Sequence, residues 1–521
     1  MTSSNVKLNT RPIARLLAIF DIVIDDVEID NIVLDSRNAK HGSLFIAQQG
    51  IKENGSQYID DALRKGAELV LVDAEDIEKH GKIEHVDGVQ VISFFELDKQ
   101  LGFICSAFHQ HVTRILQCVA VTGTNGKTSV AHLCAQLSAS CNESAGTIGT
   151  MGVALYAQNQ APVKISETIN TTPDVASMHE FAHLLKHQGA RRLCIEASSH
   201  GLHQNRLSAF NIEVAAFTNL TQDHLDYHSN FQDYAAAKRL LLQQPGLRYL
   251  VINGDDKESH NWLNETPEHT TICLCSVKHT SADSLLDAYC EHQHQLKFCL
   301  ALNPQYTSQG STFDIESSWG SASVSLPLIG QFNIANVLTA FSALLLQGLS
   351  FDSLIKALSS LQGVPGRMEV FKSSSHGNII VDYAHTPDAL EQALTAARKH
   401  VSGSLTVVFG CGGDRDHSKR SLMGSIAEKC ADKVVLTQDN SRNEDLENII
   451  ADIQQGIKDT SKLKIISKRT AAIEQAYLDS QVDDLILVAG KGHEEYLELN
   501  SVREYYNERE YVKQLTMELR G

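Results

Sequence analysis

The sequence predicts an α/β protein built from three α/β units in succession along 521 residues. Apolar, strand-like runs alternate with helix-like segments through most of the chain. One strand-to-helix junction carries a glycine loop followed by Lys-Thr, and residues 363–367 (GVPGR) have the composition of a linker. We place the units at residues 1–112, 113–362 and 363–521, because a chain of this length exceeds one hydrophobic core.

Composition and charge exclude several classes of protein. A hydrophobic content of 42% and a charged content of 21% suit a soluble globular enzyme. The net charge of −18 argues against a nucleic-acid backbone as a partner. No stretch is long enough to span a bilayer, and residues 1–17 lack the apolar core of a signal peptide, so we expect a cytoplasmic protein with no membrane partner. The eleven cysteines are scattered, which fits reduced thiols.

The strongest local signal is the stretch VAVTGTNGKTS at residues 119–129. Residues 116–121 predict a buried strand, and residues 127–140 predict a helix with few breakers. A strand, a glycine turn and Lys-Thr at a helix start form a phosphate cradle. Backbone N–H groups and the positive helix end face the anion, Lys127 neutralises it, and Thr128 can hold Mg²⁺. The alternative, a plain strand-to-helix turn, does not require Lys-Thr after the second glycine.

The N-terminal unit shows no phosphate loop and predicts a small α/β sheet. Its expected elements are one helix at residues 60–66 and strands at residues 32–37, 42–47 and 67–72. Asp35, Ser36 and Arg37 could form the edge of a ligand site. From the residues alone, the favoured interpretation of this tripeptide is a turn with a capping serine.

In the central unit, polar clusters follow apolar strands. The strands are expected at residues 192–197, 214–218 and 249–253, and the clusters lie at residues 170–174, 196–202 and 218–228. Ligands collect at the carboxyl ends of such strands. Glu196 is the candidate Mg²⁺ carboxylate, with His224 as a second ligand or phosphate contact. With 23 histidines in the chain, a structural role remains the alternative for most of them.

Three further segments complete the central unit. Residues 234–238 (YAAAK) predict the beginning of a helix, in which Lys238 by itself is interpreted as a solvated lysine. Residues 270–325 predict strands and loops without chemistry. Residues 330–336 begin an apolar helix that we expect to run to residue 349.

The third unit repeats the arrangement of strands with polar ends. Strands are predicted at residues 379–383, 405–410, 433–437 and 485–489, and polar clusters at residues 382–387, 410–415, 439–442 and 490–494. Glycines in these clusters allow close approach of the backbone, and charged residues supply orientation. We therefore expect this unit to bind a small polar molecule.

Seven ordered motifs together resemble the Mur ligases, the cytoplasmic ATP-dependent amide ligases of peptidoglycan synthesis. The motifs are TGTNGKT at residues 122–128, EASSH at 196–200, Asp223-His224, Lys238, GRME at 366–369, DYAHTP at 382–387 and GKGHE at 490–494. The resemblance spans nearly the whole chain. It implies a small N-terminal UDP-binding domain, a central P-loop ATPase-type domain with a mostly parallel sheet, and a C-terminal Rossmann-like domain that binds an amino acid.

The resemblance also implies roles around the nucleotide. Lys127 grips the ATP phosphates, and Thr128, Glu196 and His224 hold Mg²⁺. Lys238 matches the family's carbamylated lysine (N6-carboxylysine), whose CO₂-derived carbamate can ligate a second Mg²⁺. Lys127, Glu196, His224 and Lys238 are therefore the implied catalytic residues. The implied ATP-binding residues are Thr122, Gly123, Thr124, Asn125, Gly126, Lys127, Thr128, Ser129, Asn336, Arg367 and Asp382.

Two more sets of binding residues follow from the resemblance. The residues implied for the UDP-muramoyl dipeptide are Ser36 on the uridine side, Asn170, Thr171, Thr172, Ser198, Gln204 and Arg206. Those implied for meso-diaminopimelate are Arg415, Asp439, Asn440, Ser441, Arg442, Gly490 and Glu494. An arginine fork suits the distal carboxylate of this amino acid, and Glu494 can hold its distal ammonium. Ser441 replaces the proline of the family's usual Asp-Asn-Pro-Arg motif, which removes a fixed φ.

The implied reaction begins when ATP phosphorylates the γ-carboxylate of UDP-N-acetylmuramoyl-L-alanyl-D-glutamate. Diaminopimelate then attacks the acyl phosphate. We expect small-molecule substrates only, a monomer, and a hinge near residues 362–366. One rival is a related ligase that uses L-lysine or another amine, or a folate polyglutamate ligase. Arg442 argues against lysine, and the UDP-type domain argues against folate. A non-catalytic nucleotide switch is the other rival, but it leaves the polar strand ends of the third unit unexplained.

Overall fold

The computed structural model describes residues 11–50, 54–224, 227–292, 295–308 and 310–518. Within these residues, three main sheets of five, eleven and six strands follow one another along the chain, each packed against helices. This confirms the predicted α/β fold. The domain boundaries at 112/113 and 362/363 stay predictions, and residues 1–10, which contributed to the signal-peptide argument, lie outside the described part.

The N-terminal sheet is small and mainly parallel. Its elements are β1 Arg11–Pro12, α1 Ala14–Leu17, β2 Glu28–Ile29, β3 Asn31–Val33, β4 Ser43–Ala47, α2 Ile59–Arg64, β5 Ala67–Ala74, β6 Ile83–Val86, β7 Val89–Phe95 and α3 Leu97–Phe108. The sheet order is β3-β4-β5-β7-β6, and only β6 runs antiparallel to its neighbour. Successive side chains of β4 alternate between the two hydrophobic clusters on either face, as a strand period of two requires.

The turn after β3 differs from its prediction. The strand ends at Val33, and residues 36–38 form a short 3₁₀ turn. The prediction of a capping serine is wrong. Asp35 supplies the cap, because its carboxylate precedes the turn and accepts the Arg37 N–H at 2.9 Å.

The central sheet has eleven strands. Its elements are β8 Gln117–Thr122, α4 Lys127–Ser140, β9 Ala145–Gly149, β10 Gly152–Tyr156, β11 Val163–Ser166, α5 Val175–His187, β12 Arg192–Glu196, α6 Ser199–His203, β13 Val214–Phe217, α7 Phe231–Arg239, β14 Tyr249–Asn253, α8 Ser259–Asn264, β15 Thr271–Ser276, α9 Ala282–Asp287, β16 Leu296–Thr307, β17 Gly310–Ser317, β18 Gly320–Leu326, α10 Gln331–Leu346 and α11 Phe351–Leu358. The order is β11-β10-β9-β12-β8-β13-β14-β15-β16-β17-β18. The seven consecutive strands β9-β12-β8-β13-β14-β15-β16 pair in parallel, and antiparallel strands complete both edges, so the predicted mostly parallel sheet is confirmed.

The strand before the phosphate loop is buried on both faces. In β8, Val119 and Val121 belong to one core cluster with α4 and α10, whereas Cys118 and Ala120 belong to the cluster on the opposite face. A continuous apolar run is typical of such a strand in a parallel sheet. The predicted helix at residues 127–140 coincides with α4.

Some central elements differ from their predicted bounds. Helix α7 begins at Phe231, ahead of the predicted start, because the side chain of Asn230 caps it by accepting the Asp233 N–H. The segment at residues 270–325 contains the short helix α9 besides its strands. Helix α10 ends at Leu346, because Gly348 adopts a φ of +89°.

The C-terminal sheet has six strands. Its elements are β19 Glu369–Phe371, β20 Asn378–Asp382, α12 Pro387–Arg398, β21 Leu405–Phe409, α13 Ser418–Cys430, β22 Lys433–Leu436, α14 Leu446–Gln454, β23 Leu463–Ile465, α15 Arg469–Leu478, β24 Leu485–Ala489, β25 Tyr496–Leu499, β26 Val502–Tyr505 and α16 Glu508–Glu518. The order is β19-β20-β24-β21-β22-β23, with only β19 antiparallel. Strands β25 and β26 form a separate hairpin that the sequence did not indicate.

The predictions about membrane spans and about the cysteines can be compared with this structure. None of the helices in the described part of the chain has the length and apolar character that a membrane span needs. All eleven cysteines are free thiols.

Candidate active site

The phosphate loop joins β8 to α4, and its shape depends on two glycines. Gly123 has a φ of +143° and Gly126 a φ of +89°, a region that favours glycine. A Cβ atom on Gly123 would lie 1.9 Å from Thr218 Oγ1, and one on Gly126 would lie 2.5 Å from Asn336 Oδ1. The loop therefore packs closely against the ends of β13 and α10, and Asn336, predicted as a nucleotide contact, borders it.

Lys127, the first residue of α4, folds back over the loop. Its Nζ donates hydrogen bonds to the carbonyl oxygens of Gly123 at 2.9 Å and Thr124 at 2.8 Å. Burial lowers the pKa of Lys127, and the nearby carboxylates of Glu196 and Asp223 oppose that shift. A phosphate beside this amine would favour its charged form further.

Thr128 and Glu196 meet at the carboxyl end of β12. Thr128 Oγ1 donates to Glu196 Oε2 at 2.9 Å, and Glu196 Oε1 accepts the backbone N–H of Thr150 at 2.8 Å. Both predicted residues are buried. A hydroxyl and a carboxylate are oxygen donors of the kind that Mg²⁺ prefers, so this pair fits such an ion.

His224 belongs to a neighbouring group of rings. Its Nε2 lies 3.6 Å from Asp223 Oδ2, and its ring centroid lies 5.0 Å from that of His200. The ring of His200 in turn lies 4.1 Å from that of Tyr227. These contacts place His224 among aromatic side chains, and its role as a metal ligand stays a prediction.

Lys238 is buried beneath the phosphate loop, with only 1% of its surface exposed. Its Nζ donates to the Gly123 carbonyl at 2.7 Å and lies 4.6 Å from the ring centroid of Tyr234. Burial, followed by the positive charge of Lys127, lowers the pKa of Lys238 well below its usual value. The interpretation of Lys238 as a solvated helix lysine is therefore wrong, because α7 packs against the core on the side that carries this residue.

The residues predicted for the dipeptide form a hydrogen-bonded chain beside Glu196. Thr172 Oγ1 donates to the Glu196 carbonyl at 2.7 Å and accepts the Ser198 N–H at 2.9 Å. Arg206 donates to the Thr172 carbonyl at 2.6 Å and to Gln204 Oε1 at 2.6 and 3.0 Å. Four members of the predicted dipeptide set are thus connected to one another and to the backbone of Glu196.

The remaining predicted dipeptide residues occupy different positions. Thr171 accepts a hydrogen bond from Thr150 Oγ1 at 3.1 Å, next to Glu196, and Asn170 is exposed in the same loop. Ser36 lies in the N-terminal domain, where its hydroxyl donates to Asp61 Oδ2 at 2.8 Å. The structure therefore gathers the residues of this set near Glu196 into one site and places Ser36 apart from them, in the turn after β3.

A buried polar network lies at the predicted amine pocket. Asn440 Nδ2 donates to Glu494 Oε2 at 3.0 Å, and Asn440 Oδ1 accepts Lys491 Nζ at 2.9 Å. Lys491 also pairs with Glu494 Oε2 at 2.5 Å. Arg442 Nη1 donates to the Gly413 carbonyl at 2.7 Å. The strand-end clusters that were far apart in sequence are thus joined in space.

Other members of this predicted set surround the network. Arg415 is exposed at the mouth of the loop after β21. Gly490 has a φ of +114°, and a Cβ atom there would lie 2.5 Å from Asp439 Oδ2. Ser441 is buried. All seven residues predicted for the amine therefore lie on three adjoining loops at the carboxyl edge of the C-terminal sheet.

Arg367 and Asp382 connect residues 363–368 to the carboxyl edge of the C-terminal sheet. The Arg367 guanidinium lies 4.5 Å from the ring centroid of Tyr383, and Asp382 accepts the Met368 N–H at 2.7 Å. Burial raises the pKa of Asp382, and Arg367 opposes that rise. Within the described residues, Arg367 Nε is buried without a hydrogen-bond partner, which suits a donor aimed at an anionic ligand.

A cavity of about 550 Å³ lies beside the phosphate loop, between α10 and α12. Its walls include Asn219 and Asn336 from the central domain and Thr395 from the C-terminal domain. Asn219 Oδ1 accepts the Asn125 N–H of the loop at 3.0 Å, so a wall of the cavity is bonded to the phosphate loop. A mixed apolar and polar cleft between domains is a common location for a ligand of this size.

Sequence reasoning missed several residues of these sites. Lys491 stands within the GKGHE motif, and its position between two glycines was the available signal. Asn219 follows a strand that was recognised, but the sequence did not distinguish it from its polar neighbours. Arg420 and the α12 wall of the cavity had no local signal, because their placement depends on contacts between distant segments.

Three family models match this chain and together cover most of it. The model described as Mur ligase family, catalytic domain, matches residues 28–109. The Mur ligase middle domain matches residues 121–344, and the Mur ligase, glutamate ligase domain, matches residues 366–492.

Full-length relatives carry one name. The UDP-N-acetylmuramoyl-L-alanyl-D-glutamate--2,6-diaminopimelate ligase of Haemophilus influenzae strain PittGG is 40% identical over 498 residues, which are 95% of this chain and 98% of that protein. A solved structure of the same name is 33% identical, covers 98% of this chain and 100% of its own, and has a TM-score of 0.68. The D-alanyl-D-alanyl-adding ligase of Acinetobacter baumannii, at 17% identity and a TM-score of 0.63, covers 94% of this chain and 96% of its own and shares the fold.

Proposed function

This chain belongs to the Mur ligase family, and we propose that it joins meso-2,6-diaminopimelate to UDP-N-acetylmuramoyl-L-alanyl-D-glutamate with ATP as the energy source. The observation that carries the proposal is the 40% identity to ligases of that name along 95% of the chain. The geometry supports it, because a phosphate cradle and an arginine-bearing pocket lie at the carboxyl edges of two neighbouring sheets.

The proposed reaction has two steps. An oxygen of the D-glutamyl γ-carboxylate attacks the γ-phosphorus of ATP, the bond to the bridging oxygen breaks, and ADP leaves. The amino group of diaminopimelate then attacks the acyl carbon and loses a proton, and the tetrahedral intermediate expels phosphate to leave an amide. Positioning of the reactants and stabilisation of charge supply most of the catalysis of such steps.

The phosphate loop would position the phosphates of ATP. The N-terminal amides of α4 point towards the cradle, and Lys127 can exchange its two loop carbonyls for phosphate oxygens. Mg²⁺, when bound, supplies positive charge that offsets the phosphates. Thr128 and Glu196 would hold it, with His224 as the further predicted ligand and a second ion at Lys238.

Burial supports the proposed carbamate on Lys238. The neutral amine is the nucleophile that attacks CO₂, and the lowered pKa of this lysine favours that form. The new N–C bond forms as one proton leaves, and the product carries a negative charge. That charge would lie near Lys127, which shares the Gly123 carbonyl with Lys238.

The amine pocket supports diaminopimelate over lysine. The Gly413 carbonyl fixes the Arg442 guanidinium, and a Cβ atom on Gly412 would lie 3.0 Å from Arg442 Nη1 and 3.9 Å from Arg415 Cγ. Two arginines therefore flank one glycine, where a second carboxylate could be paired. Glu494 Oε2 is engaged by Lys491 and Asn440, whereas Oε1 accepts only a long hydrogen bond from the Tyr383 hydroxyl at 3.5 Å, so Oε1 is the oxygen proposed for the distal ammonium.

The alternative functions require different features of the structure. A folylpolyglutamate synthase structure at 16% identity covers 74% of this chain, against 98% for the diaminopimelate ligase structure. A lysine-adding ligase would not need the two arginines, and a non-catalytic switch would not need the amine pocket. The monomeric state and the cytoplasmic location stay predictions.

Phosphate release distinguishes these alternatives. Purified protein would receive ATP, Mg²⁺ and the UDP-muramoyl dipeptide with diaminopimelate, L-lysine or no amine. We expect fast phosphate release and a new amide product only with diaminopimelate. Equal rates with lysine would contradict the choice of amine, and ADP formation at the background rate with every amine would favour the switch.

A further inference from the structure

Two loops of the proposed amine pocket are tied to each other directly. The first, residues 410–417, follows β21 and carries Arg415. The second, residues 439–445, follows β22 and carries Arg442. The Gly413 N–H donates to the Asn440 carbonyl at 2.9 Å, and Asn443 Nδ2 donates to Asp414 Oδ2 at 3.0 Å. The spacing between the two arginines therefore depends on how these loops are held.

Arg420, in the first turn of α13, contacts both loops from the interior of the protein. Its side chain is fully buried, with 0% of its surface exposed. Nη1 and Nη2 form a bidentate pair with the carboxylate of Glu444 at 2.6 and 2.7 Å, and Nη2 also donates to the Gly412 carbonyl at 3.3 Å. One guanidinium thus contacts a carbonyl of the first loop and a carboxylate of the second.

Glu444 completes the connection. Its Oε2 also accepts the backbone N–H of Asp414 at 3.1 Å, so the same carboxylate joins Arg420 to the first loop. The hydrogen bonds from Arg420 are the main cause of the low pKa of Glu444, about 2, which keeps the carboxylate charged at neutral pH. Asp452 on α14 pairs with the same guanidinium at 3.0 Å but belongs to neither loop.

We propose that Arg420 is a positioning residue for the amine substrate, which fixes the distance between Arg415 and Arg442 by clamping their two loops through Gly412 and Glu444. This inference rests on the proposed function. The clamp acts at a glycine that lies between the two arginines, so a shift of Gly412 changes the pocket directly. The guanidinium makes a bidentate pair with Glu444 and also reaches the Gly412 carbonyl, and the ammonium of a lysine cannot reproduce that bidentate geometry.

An ordinary buried ion pair would behave differently from a clamp. Loss of one partner of such a pair lowers stability and affects all substrates alike, because the uncompensated charge disturbs the domain as a whole. A clamp on the amine loops affects the amine selectively. The KM for each substrate therefore separates the two roles.

The test compares Arg420→Lys with Arg192→Lys in the phosphate-release assay. Arg192 is as buried as Arg420, but its Nε binds Gln347 Oε1 at 3.0 Å at the amino end of β12, away from the amine loops. We expect Arg420→Lys to raise the KM for diaminopimelate by about tenfold or more, with the KM for ATP and for the UDP-dipeptide within about twofold of wild type. Arg192→Lys should lower Tm without that selective change.

Two further variants keep the test decisive if Arg420→Lys fails to fold. Glu444→Gln removes the charged acceptor from the clamp and should reproduce the selective rise in KM. Asp452→Asn removes a carboxylate that lies outside both loops and touches the first loop only through His417 Nδ1 at 3.5 Å, so it should lower Tm with the KM for diaminopimelate unchanged. A uniform rise in all three KM values, or an unchanged KM for diaminopimelate in Glu444→Gln, overturns the inference. Wild-type protein that releases no phosphate with diaminopimelate instead overturns the proposed function.

Discussion

Lys238 and Lys127 donate hydrogen bonds to the same acceptor, the carbonyl oxygen of Gly123, at 2.7 and 2.9 Å. Two ammonium groups this close in a buried site repel each other, and both desolvation and that repulsion lower the pKa of Lys238. The arrangement favours one neutral amine beside the phosphate cradle. It gives a physical basis for the proposed carbamylation of Lys238, which its position on a helix of strong helix formers did not suggest.

The first prediction concerns this lysine. Lys238→Ala should lose most activity, by about a hundredfold or more, because the proposed carbamate cannot form. A short carboxylic acid that fits the vacated space should restore part of the rate. The measurement is phosphate release with and without added acetate or propionate. Full activity without any additive would show that no carbamate is needed, and the exposed Lys99→Ala serves as the control.

The second prediction concerns the phosphate loop. Lys127→Ala should abolish formation of both ADP and amide, because the charge that faces the phosphates is lost. Far-UV circular dichroism and Tm should remain close to wild type, since the contacts of Lys127 are confined to carbonyls of its own loop. Near-normal turnover in this variant would remove the loop from the mechanism.

The third prediction separates backbone strain from steric clash. Gly126 and Gly189 have nearly the same φ, +89° and +93°, so an alanine costs about 1 kcal/mol of strain at either position. A Cβ atom at Gly126 also lies 2.5 Å from Asn336 Oδ1, whereas one at Gly189 meets nothing within 4 Å. Gly126→Ala should therefore weaken ATP binding at least about tenfold.

Gly189→Ala is the matched control for that comparison. It should lower Tm by a few degrees, as strain alone predicts, and leave the dissociation constant for ATP unchanged. Isothermal titration with a non-hydrolysable ATP analogue measures both variants. Equal losses of affinity would mean that the contact between Gly126 and Asn336 has no part in nucleotide binding.

The fourth prediction concerns the loss of folding stability at acid pH. Burial lowers the pKa of His179 and His183 to about 4, on the helix α5 that packs against α3. Arg11 lies 3.4 Å from His183, and its positive charge adds to the effect of burial on the pKa of His183. Both histidines titrate near pH 6.5 in the unfolded chain.

The sign of the effect follows from proton uptake. Between about pH 6.5 and 4 the unfolded chain binds protons that the folded chain does not, so stability falls as the pH falls, by about 1.4 kcal/mol per pH unit for each histidine. Urea unfolding at pH 7.5, 6.5 and 5.5 measures this slope. His179→Leu should reduce this slope. An identical slope in His179→Leu and wild type would contradict the assignment.

The phosphate loop and the strand-end clusters could be predicted because their physics is local. A buried strand, two glycines and Lys-Thr at a helix start lie within a dozen residues, and the boundaries of α4 coincide with the prediction. Parallel strands also present their carboxyl ends at one edge, so polar residues after successive strands could be assigned to a common site. The resemblance of the ordered motifs to one family added the substrates.

The tertiary structure decided which charged side chains are buried when their neighbours in the sequence give no sign of it. Lys238, Lys491 and Arg420 are charged residues with no local sign of burial, yet all three lie inside the protein. Their acceptors come from distant parts of the chain: the Gly123 carbonyl, Asn440 and Glu444. Sequence determined which residues could bind phosphate and carboxylate, because that depends on chemical type and nearby backbone. Packing alone decided which charges are desolvated, because burial and pairing arise only when separate segments meet.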